Sequence, residues 1–292
     1  MKPIIKWVGG KTQILGKVLH SFPKEMTNYH ELFVGGGSVL LSLLSSKDIT
    51  VKGKVYAYDK NQKLINMYRQ IQTNPKEVHE HLVDLFTKYD TRTGTKVNRK
   101  PENEEEGMTS KESYYYWVRK MHNEFIPNTP IHAAIFIFLN KTCFRGVYRE
   151  GPNGFNVPYG HYKTTPLVIP LEDLVKMQNL IKNVIFKWCD FRAAFAQTVN
   201  DGDFIYADPP YAPLSVKSFV GYTRDGFGMD DHTDLFYLLK STDIDFVMSN
   251  AKVNLVTSIF KDYKIEDIIA RRSIHSKDPS SYTTEVLISN IY

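Results

Sequence analysis

The chain is poor in cysteine: among 292 residues there are two, Cys143 and Cys189. Two thiols cannot build a disulfide framework or a cysteine-rich metal centre. They read as free thiols in a reducing compartment. No apolar run approaches the roughly 20 residues of a membrane-spanning helix, and mean hydropathy is −0.33, so a membrane-spanning chain is excluded. The opening residues, MKPIIKWVGGKTQ, carry charge but lack the apolar core of a secretory signal, which predicts a cytoplasmic protein. There is no internal repeat. There is also no P-loop: Gly9-Gly10-Lys11-Thr12 resembles the end of one, but Lys6 and Trp7 stand where its first glycine belongs, so ATP hydrolysis is set aside. Nor does one sign of charge dominate. Thirty-seven basic against 32 acidic residues give +5 and a pI near 8.9, a balance that permits nucleic-acid binding without establishing it.

Apolar residues make up 42% and charged residues 24%, the proportions of a folded globular chain. The first sixty residues alternate short apolar strands with amphipathic helices: strands over 28–33 and 54–58, helices over 12–20, 38–44 and 61–72. That alternation predicts a parallel sheet covered on both faces. The middle is different. Residues 91–113 are polar, centred on Glu104-Glu105-Glu106, and read as a mobile loop or a frayed helix end. Helices are expected over 114–124 and 131–139. Residues 141–163 then gather Lys141, Arg145, Arg149, His161 and Lys163 around Pro152-Asn153-Gly154, a hairpin signal. Past about 168 the α/β pattern returns, with strands over 184–188, 203–206, 245–249 and 284–290. The expectation is one sheet built from both ends of the chain, divided as 1–63, 64–165 and 166–292, with the middle piece inserted.

Three strand ends carry the chemistry. Asp208-Pro209-Pro210-Tyr211 follows the strand over 203–206 directly. At the carboxyl end of a parallel strand such a turn faces the ligand crevice. Two prolines fix φ and remove two donors, so the turn is stiff. A carboxylate and a carbonyl can then accept from one amino group while Tyr211 offers a ring face, which suits a flat base with an exocyclic amine. Glu31-Leu32-Phe33-Val34-Gly35-Gly36-Gly37-Ser38 is a strand-to-helix turn whose glycines admit a ligand close to the backbone. Asp59 ends the next strand, about twenty residues on, where a carboxylate can hold a ribose diol. Singly, each also fits an ordinary role: a strand-ending turn, a generic glycine turn, a helix N-cap, and, for 141–163, a solvated basic hairpin.

In order along the chain, Trp7-Val8-Gly9-Gly10-Lys11, Phe33-Val34-Gly35-Gly36-Gly37, Asp59, Arg145-Gly146-Val147-Tyr148-Arg149 through Gly154-Phe155-Asn156-Val157-Pro158-Tyr159-Gly160, and Asp208-Pro209-Pro210-Tyr211 resemble the Dam-type DNA adenine-N6 methyltransferases of the D12 class, alpha group. The resemblance covers nearly the whole chain except 102–111, which reads as an insertion. It implies a Rossmann-like, S-adenosylmethionine-dependent methyltransferase sheet with an inserted, mainly helical DNA-recognition domain carrying a β-hairpin. It also implies S-adenosylmethionine as cofactor, S-adenosylhomocysteine as product, and no metal. The positions matching the family's cofactor contacts are Trp7, Lys11, Phe33, Gly35, Gly37, Asp59, Asp190, Phe191 and Asp208. Those matching the catalytic turn are Asp208, Pro209, Pro210 and Tyr211. The hairpin positions Arg145, Tyr148, Arg149, Asn156, Pro158 and Lys163 match the DNA-binding element, and the loop over 215–228 is expected to close over the base.

The implied reaction is direct methyl transfer to N6 of an adenine flipped out of a short palindrome in double-stranded DNA. GATC is the first expectation. CATG or another tetranucleotide stays open, because Cys143-Phe144-Arg145 and Arg149-Glu150-Gly151 depart from the usual hairpin wording. The setting would be a Dam-like or restriction-modification system with a cognate restriction endonuclease as a partner, acting on nucleoid or viral DNA. Neither Thr142-Cys143-Phe144 nor Trp188-Cys189-Asp190 is the Pro-Cys that cytosine C5 methylation requires, so that chemistry is excluded. Cytosine N4 transfer, RNA methylation and a catalytically silent DNA-binding protein remain as alternatives.

Overall fold

Phe204-Ile205-Tyr206-Ala207 is buried at every position, the pattern of a strand covered on both faces. It lies near the middle of the main sheet of the computed structural model, which describes residues 1–124, 127–198, 200–212, 226–271 and 282–291. Among the described residues this sheet has seven strands. They are β1 (Tyr29–Glu31), β2 (Val55–Asp59), β3 (Val184–Trp188), β4 (Phe204–Ala207), β5 (Asp245–Ala251), β6 (Lys264–Arg271) and β7 (Tyr282–Ser289). Their spatial order is β6-β7-β5-β4-β1-β2-β3. Strands β1 to β5 pair in parallel, and β7 runs antiparallel to both β5 and β6. The fold is therefore mixed α/β around a mostly parallel sheet.

The chain enters this sheet at its centre. It moves outward through β2 and β3, then returns to the other side of β1 as β4. Strand order thus reverses between β1 and β4, and in open α/β sheets ligands bind at the carboxyl ends of the strands flanking such a reversal. The core on one side of the sheet joins Leu32, Ile205, Phe236, Phe246, Met248, Val256, Phe260 and Val286, side chains contributed by strands and by the helices that cross between them.

Two compact units emerge from the packing: Met1–Gly10 with Asn61–Lys182, and Lys11–Lys60 with Asn183–Tyr292. The second holds the main sheet. It also holds α1 (Leu15–His20), α2 (Ser38–Leu44), α9 (Phe191–Phe195), α10 (Met229–Lys240) and α11 (Asn254–Ile259). The first is helical: α3 (Gln62–Thr73), α4 (Pro75–Asp90), α5 (Glu104–Gly107), α6 (Lys111–Glu124), α7 (Pro130–Thr142) and α8 (Leu171–Ile181). Its centre is α7, where Ala133 through Asn140 are all buried, as a helix surrounded by others must be.

This partition differs from the expected one at both joints. Helix α8 packs on α3 and α4, and Gln72 Nε2 donates to the Ile181 carbonyl at 2.8 Å. Sequence alone cannot separate α8 from a sheet-covering helix, because both present one apolar stripe. The first ten residues also group with the helices. The Asn140 amide explains this: Lys6 N–H donates to its Oδ1, and its Nδ2 donates to the Lys6 carbonyl, both at 2.8 Å.

Residues 91–113 are more ordered than their composition predicts. Asn103 Oδ1 accepts from Glu106 N–H at 2.9 Å and opens α5. Lys88 pairs with Glu104 at 3.3 Å and Lys120 with Glu102 at 3.0 Å, so lysines of the flanking helices tie down two of the carboxylates in this stretch. Helix α6 begins at Lys111. The hairpin forms where its turn signal lies, with Glu150 opposite Phe155 and Gly151 opposite Gly154. Gly154 takes φ +85°, which a β-carbon would strain. Asn123 of α6 anchors the hairpin to the helices, donating to the Phe155 carbonyl at 3.1 Å and accepting its N–H at 2.8 Å. Both cysteines are free, and burial pushes the Cys143 thiol up to about 12. Among the described residues no helix is long and apolar enough to cross a membrane.

Candidate active site

Everything at the carboxyl ends of β1, β2 and β4 belongs to the sheet unit. After β1 the chain stays bonded to both neighbours: Leu32 N–H donates to the Tyr206 carbonyl at 3.0 Å, and Val34 N–H to the Tyr58 carbonyl at 2.8 Å. It then turns through the glycines into α2. Gly35 and Gly37 adopt φ +47° and +73°, conformations that glycine accepts without steric cost. Asp59, at the end of β2, braces this turn: its Oδ2 accepts the Gly35 N–H at 3.0 Å. The loop therefore presents backbone, without side chains, beside a carboxylate.

Lys11 meets the same corner from the other side. Its N–H donates to Ser38 Oγ at 3.2 Å. Its ammonium lies 2.7 Å from Asp208 Oδ1, with the two side chains only 3% and 17% exposed. A buried ammonium requires such a partner. The same nitrogen sits 4.7 Å from the centre of the Tyr211 ring. The turn after β4 is held by its neighbours too. Ala212 N–H donates to Asn250 Oδ1 at 3.1 Å, and Tyr211 Oη donates to Glu285 Oε2 at 2.7 Å. Pro209 is buried and Pro210 exposed.

The electrostatics follow from burial. Desolvation pushes the Asp208 carboxyl up to about 6; the Lys11 charge and hydrogen bond oppose the rise, and Glu285 adds to it. One layer below, Glu31 accepts from Tyr29 Oη at 2.7 Å. Burial raises Glu31 to about 8 against that hydrogen bond, helped by the Asp208 charge. Burial therefore favours the neutral form of Glu31 more strongly than that of Asp208, whose carboxylate has the Lys11 ammonium beside it. Tyr206 Oη and Ser249 Oγ share a hydrogen bond of 2.8 Å in the same buried polar layer.

Asp190 caps α9: its Oδ1 accepts the Arg192 N–H at 3.0 Å and the Arg192 guanidinium at 3.1 Å. Arg192 also pairs with Asp231 at 2.8 Å and Asp234 at 2.7 Å, fixing α9 against the start of α10. Phe191 is 3% exposed. Its ring lies 5.7 Å from Phe33 and 5.6 Å from Phe227, in an aromatic cluster.

The remaining expected site residues lie in the helical unit. Trp7 stacks on Tyr148 at 5.4 Å and on Phe136 at 6.3 Å. The Tyr148 ring is thus turned into the unit, with its hydroxyl on Glu150 Oε1 at 2.6 Å. Arg145, Arg149, Asn156, Pro158 and Lys163 are exposed. Arg149 Nε donates to Asn156 Oδ1 at 2.7 Å across the hairpin. Arg145 takes φ +58°, and its guanidinium lies 5.1 Å over the Phe144 ring. Of the loop expected over 215–228, residues 215–225 lie outside the described residues.

Sequence reasoning missed Glu285, Arg192 and the buried state of Glu31. Glu285 sits in Thr284-Glu285-Val286-Leu287, where alternation marks a strand and nothing marks a site. Arg192 stands directly beside the expected Asp190-Phe191, and its charge is the signal that was available.

A carboxylate, a proline-bearing aromatic turn and a glycine loop gather at a strand-order reversal, the place where open α/β sheets bind their ligands. The profile of the D12 class of N6 adenine-specific DNA methyltransferases matches residues 7–274. The chain belongs to this family and is an adenine-specific DNA methyltransferase. It is 32% identical to the type II methyltransferase M1.LlaDCHI of Lactococcus lactis subsp. cremoris, over 99% of this chain and 95% of that protein. It is 33% identical to the type II methyltransferase M.MjaIII of Methanocaldococcus jannaschii, over 95% and 94%. A DNA adenine methylase of Haemophilus influenzae is 28% identical over 99% and 93%.

Proposed function

We propose that the protein moves a methyl group from S-adenosylmethionine to N6 of an adenine flipped out of a short palindromic site in duplex DNA. The observation that carries this reading is the Asp208 carboxylate, held at the strand-order reversal beside the braced glycine loop. The corner fits the cofactor. A loop without side chains leaves room for the methionine part, and Asp59 supplies the carboxylate for a ribose diol. Asp190 would contact the cofactor's adenine, with Lys11, Phe33, Gly35, Gly37 and Phe191 as the other cofactor positions of the sheet unit; Trp7, expected among them, belongs to the helical unit. When bound, the cofactor supplies an electrophilic methyl group on a positively charged sulfur.

The N6 lone pair is delocalised into the adenine ring and is a weak nucleophile. Asp208 accepts one N6 hydrogen through the oxygen that does not face Lys11, and the Pro209 carbonyl accepts the other. The two bonds draw the amine toward a tetrahedral shape. Pro210 keeps the turn stiff, and Tyr211 stacks on the base. Asp208 would meet the positive charge that N6 gains on methylation, and the amine proton would leave through its carboxylate to water. Catalysis here is positioning and preorganised charge.

Because the Asp208 carboxyl lies near 6, its acceptor form prevails above that pH and is lost below it. The single-turnover rate is expected to fall by about tenfold per pH unit below about 6. A rate flat down to pH 5 would remove Asp208 from this role.

The exposed hairpin is the DNA-reading element of this proposal, and the helical unit is its recognition domain. Arg149 spends its Nε on Asn156, leaving the amino ends of the fork for a guanine edge. Arg145, Asn156, Pro158 and Lys163 face the backbone or neighbouring bases, and Tyr148 shapes the hairpin from below. Arg149→Ala is expected to cost on the order of 10- to 100-fold in discrimination between site and non-site DNA, with cofactor affinity within about twofold. Unchanged selectivity would sink the assignment. GATC is the first site to test, CATG the second. The type II names of two relatives favour a restriction-modification setting with a cognate endonuclease. Labelled methyl transfer to duplex DNA, with RNA and single-stranded DNA as competitors and nucleoside chromatography of the product, tests the substrate directly. Label recovered as N6-methyladenosine from RNA would overturn the duplex reading.

A further inference from the structure

We propose that Glu285 is a positioning residue for methyl transfer: it fixes the Tyr211 ring in the plane that receives the target base. The proposal rests on the reading of Tyr211 as the base-stacking residue. Glu285 stands on β7, opposite Ala251 of β5, and accepts the Tyr211 hydroxyl at 2.7 Å.

The turn's backbone does not need this bond. Its amide at Ala212 is held by Asn250, and two prolines fix φ at 209 and 210. What remains free in a tyrosine at such a turn is the ring itself, with two side-chain torsions. A hydrogen bond at the far end of the ring pins the first by fixing the hydroxyl oxygen, and biases the second because a phenol O–H prefers to lie in the ring plane and must point at the Glu285 carboxylate. The opposite constraint comes from Lys11, whose ammonium approaches the ring at 4.7 Å while paired with Asp208. Tyr211 is therefore held at its hydroxyl by one charged group and at its face by another.

The choice of a carboxylate has a second consequence. The Tyr211 ring lies between the Lys11–Asp208 pair on its face and Glu285 at its hydroxyl, and methyl transfer would bring positive charge to N6 beside that ring. A phenol donating to a carboxylate also carries a more electron-rich ring, which a cationic amine prefers. Glu285 acts on the transition state through the Tyr211 hydroxyl it accepts, without touching the base.

The experiment compares Glu285→Ala, Glu285→Gln, Tyr211→Phe and the Tyr211→Phe/Glu285→Ala double variant in the full chain. The readouts are single-turnover methyl transfer, cofactor and DNA affinities, thermal unfolding, and emission of 2-aminopurine at the target position. Glu285→Ala is expected to slow transfer on the order of tenfold, leave both affinities within about twofold, and raise 2-aminopurine emission as the ring loosens. Tyr211→Phe is expected to show the same loss, and the double variant no more than either. Glu285→Gln keeps an acceptor and is expected to recover most of the ring order and part of the rate. Multiplying losses in the double variant overturn the proposal, because Glu285 would then act without the Tyr211 hydroxyl. Loss of rate only in parallel with lowered unfolding temperature, in both Glu285 variants, overturns it as well. A Tyr211→Ala variant separates the two readings. If it transfers methyl at the wild-type rate, the stacking role itself fails. If it is slow while Glu285→Ala is unaffected, only the Glu285 proposal fails.

Discussion

Asp208→Asn is expected to lose about 100- to 1,000-fold in single-turnover methyl transfer, the range for removing one preorganised polar contact from a transition state. Cofactor affinity is expected to stay within a few-fold. The asparagine keeps the size of the side chain and one oxygen. It loses the charge that the amine meets as the methyl arrives, and it puts an amide donor where an acceptor is needed. Asp208→Ala is expected to be equally inactive and also unstable. Lys11 is 3% exposed, and the substitution strips this buried ammonium of its ion-pair carboxylate, a loss of about 3–5 kcal/mol. Lys11→Met in the alanine background should restore stability to chemical denaturation without restoring activity. Near wild-type transfer by Asp208→Asn would mean that the base amine is oriented by something else.

The second large effect is expected at Asp59. Its Oδ2 braces the Gly35 N–H at 3.0 Å, and the ribose diol of the cofactor would share the same carboxylate. Asp59→Ala removes both at once. Hydrogen bonds to an ionised group contribute about 1.5–3 kcal/mol, so cofactor affinity should fall roughly 10- to 100-fold by calorimetric titration. The turnover rate at saturating cofactor should fall far less, because Asp59 does not touch the base. A variant whose KM for cofactor is unchanged while its turnover collapses would move Asp59 from binding to chemistry.

Most of the sheet unit was legible because its signals are local. Helix α2 follows three glycines with a mostly apolar run, and β3 is bounded as periodicity predicts. Asn61 caps α3 by accepting the Leu64 N–H at 3.0 Å, a role its position announces. Two elements went unread. Helix α4 carries a clear amphipathic stripe after Pro75 but lies between the two stretches that drew attention. Strand β6 is an edge strand whose alternating Lys264-Ile265-Glu266-Asp267 reads as loop until β7 pairs with it. The acidic stretch around 104 was misjudged for a different reason. Composition shows the charges, but the lysines that tie two of them down come from α4 and α6.

At the site, the sequence exposes which residues stand at strand ends but not what holds them. The Asp208–Tyr211 turn, the glycine loop and Asp59 are all contiguous with strands, so a reader of the sequence finds them. The partners Lys11–Asp208 and Tyr211–Glu285 join residues 197 and 74 positions apart in sequence, and no local pattern encodes such a pair. Trp7 and Phe191 show the converse. Their motif positions are plain, yet one stacks in the helical unit and the other is buried among aromatic rings.

The most direct test of the central claim is single-molecule sequencing of methylation-free genomic DNA after incubation with the protein and S-adenosylmethionine. The account predicts N6-methyladenine at one short palindrome and nowhere else, lost with Asp208→Asn. Intact DNA carrying no mark, from a preparation that still binds the cofactor tightly, would contradict it.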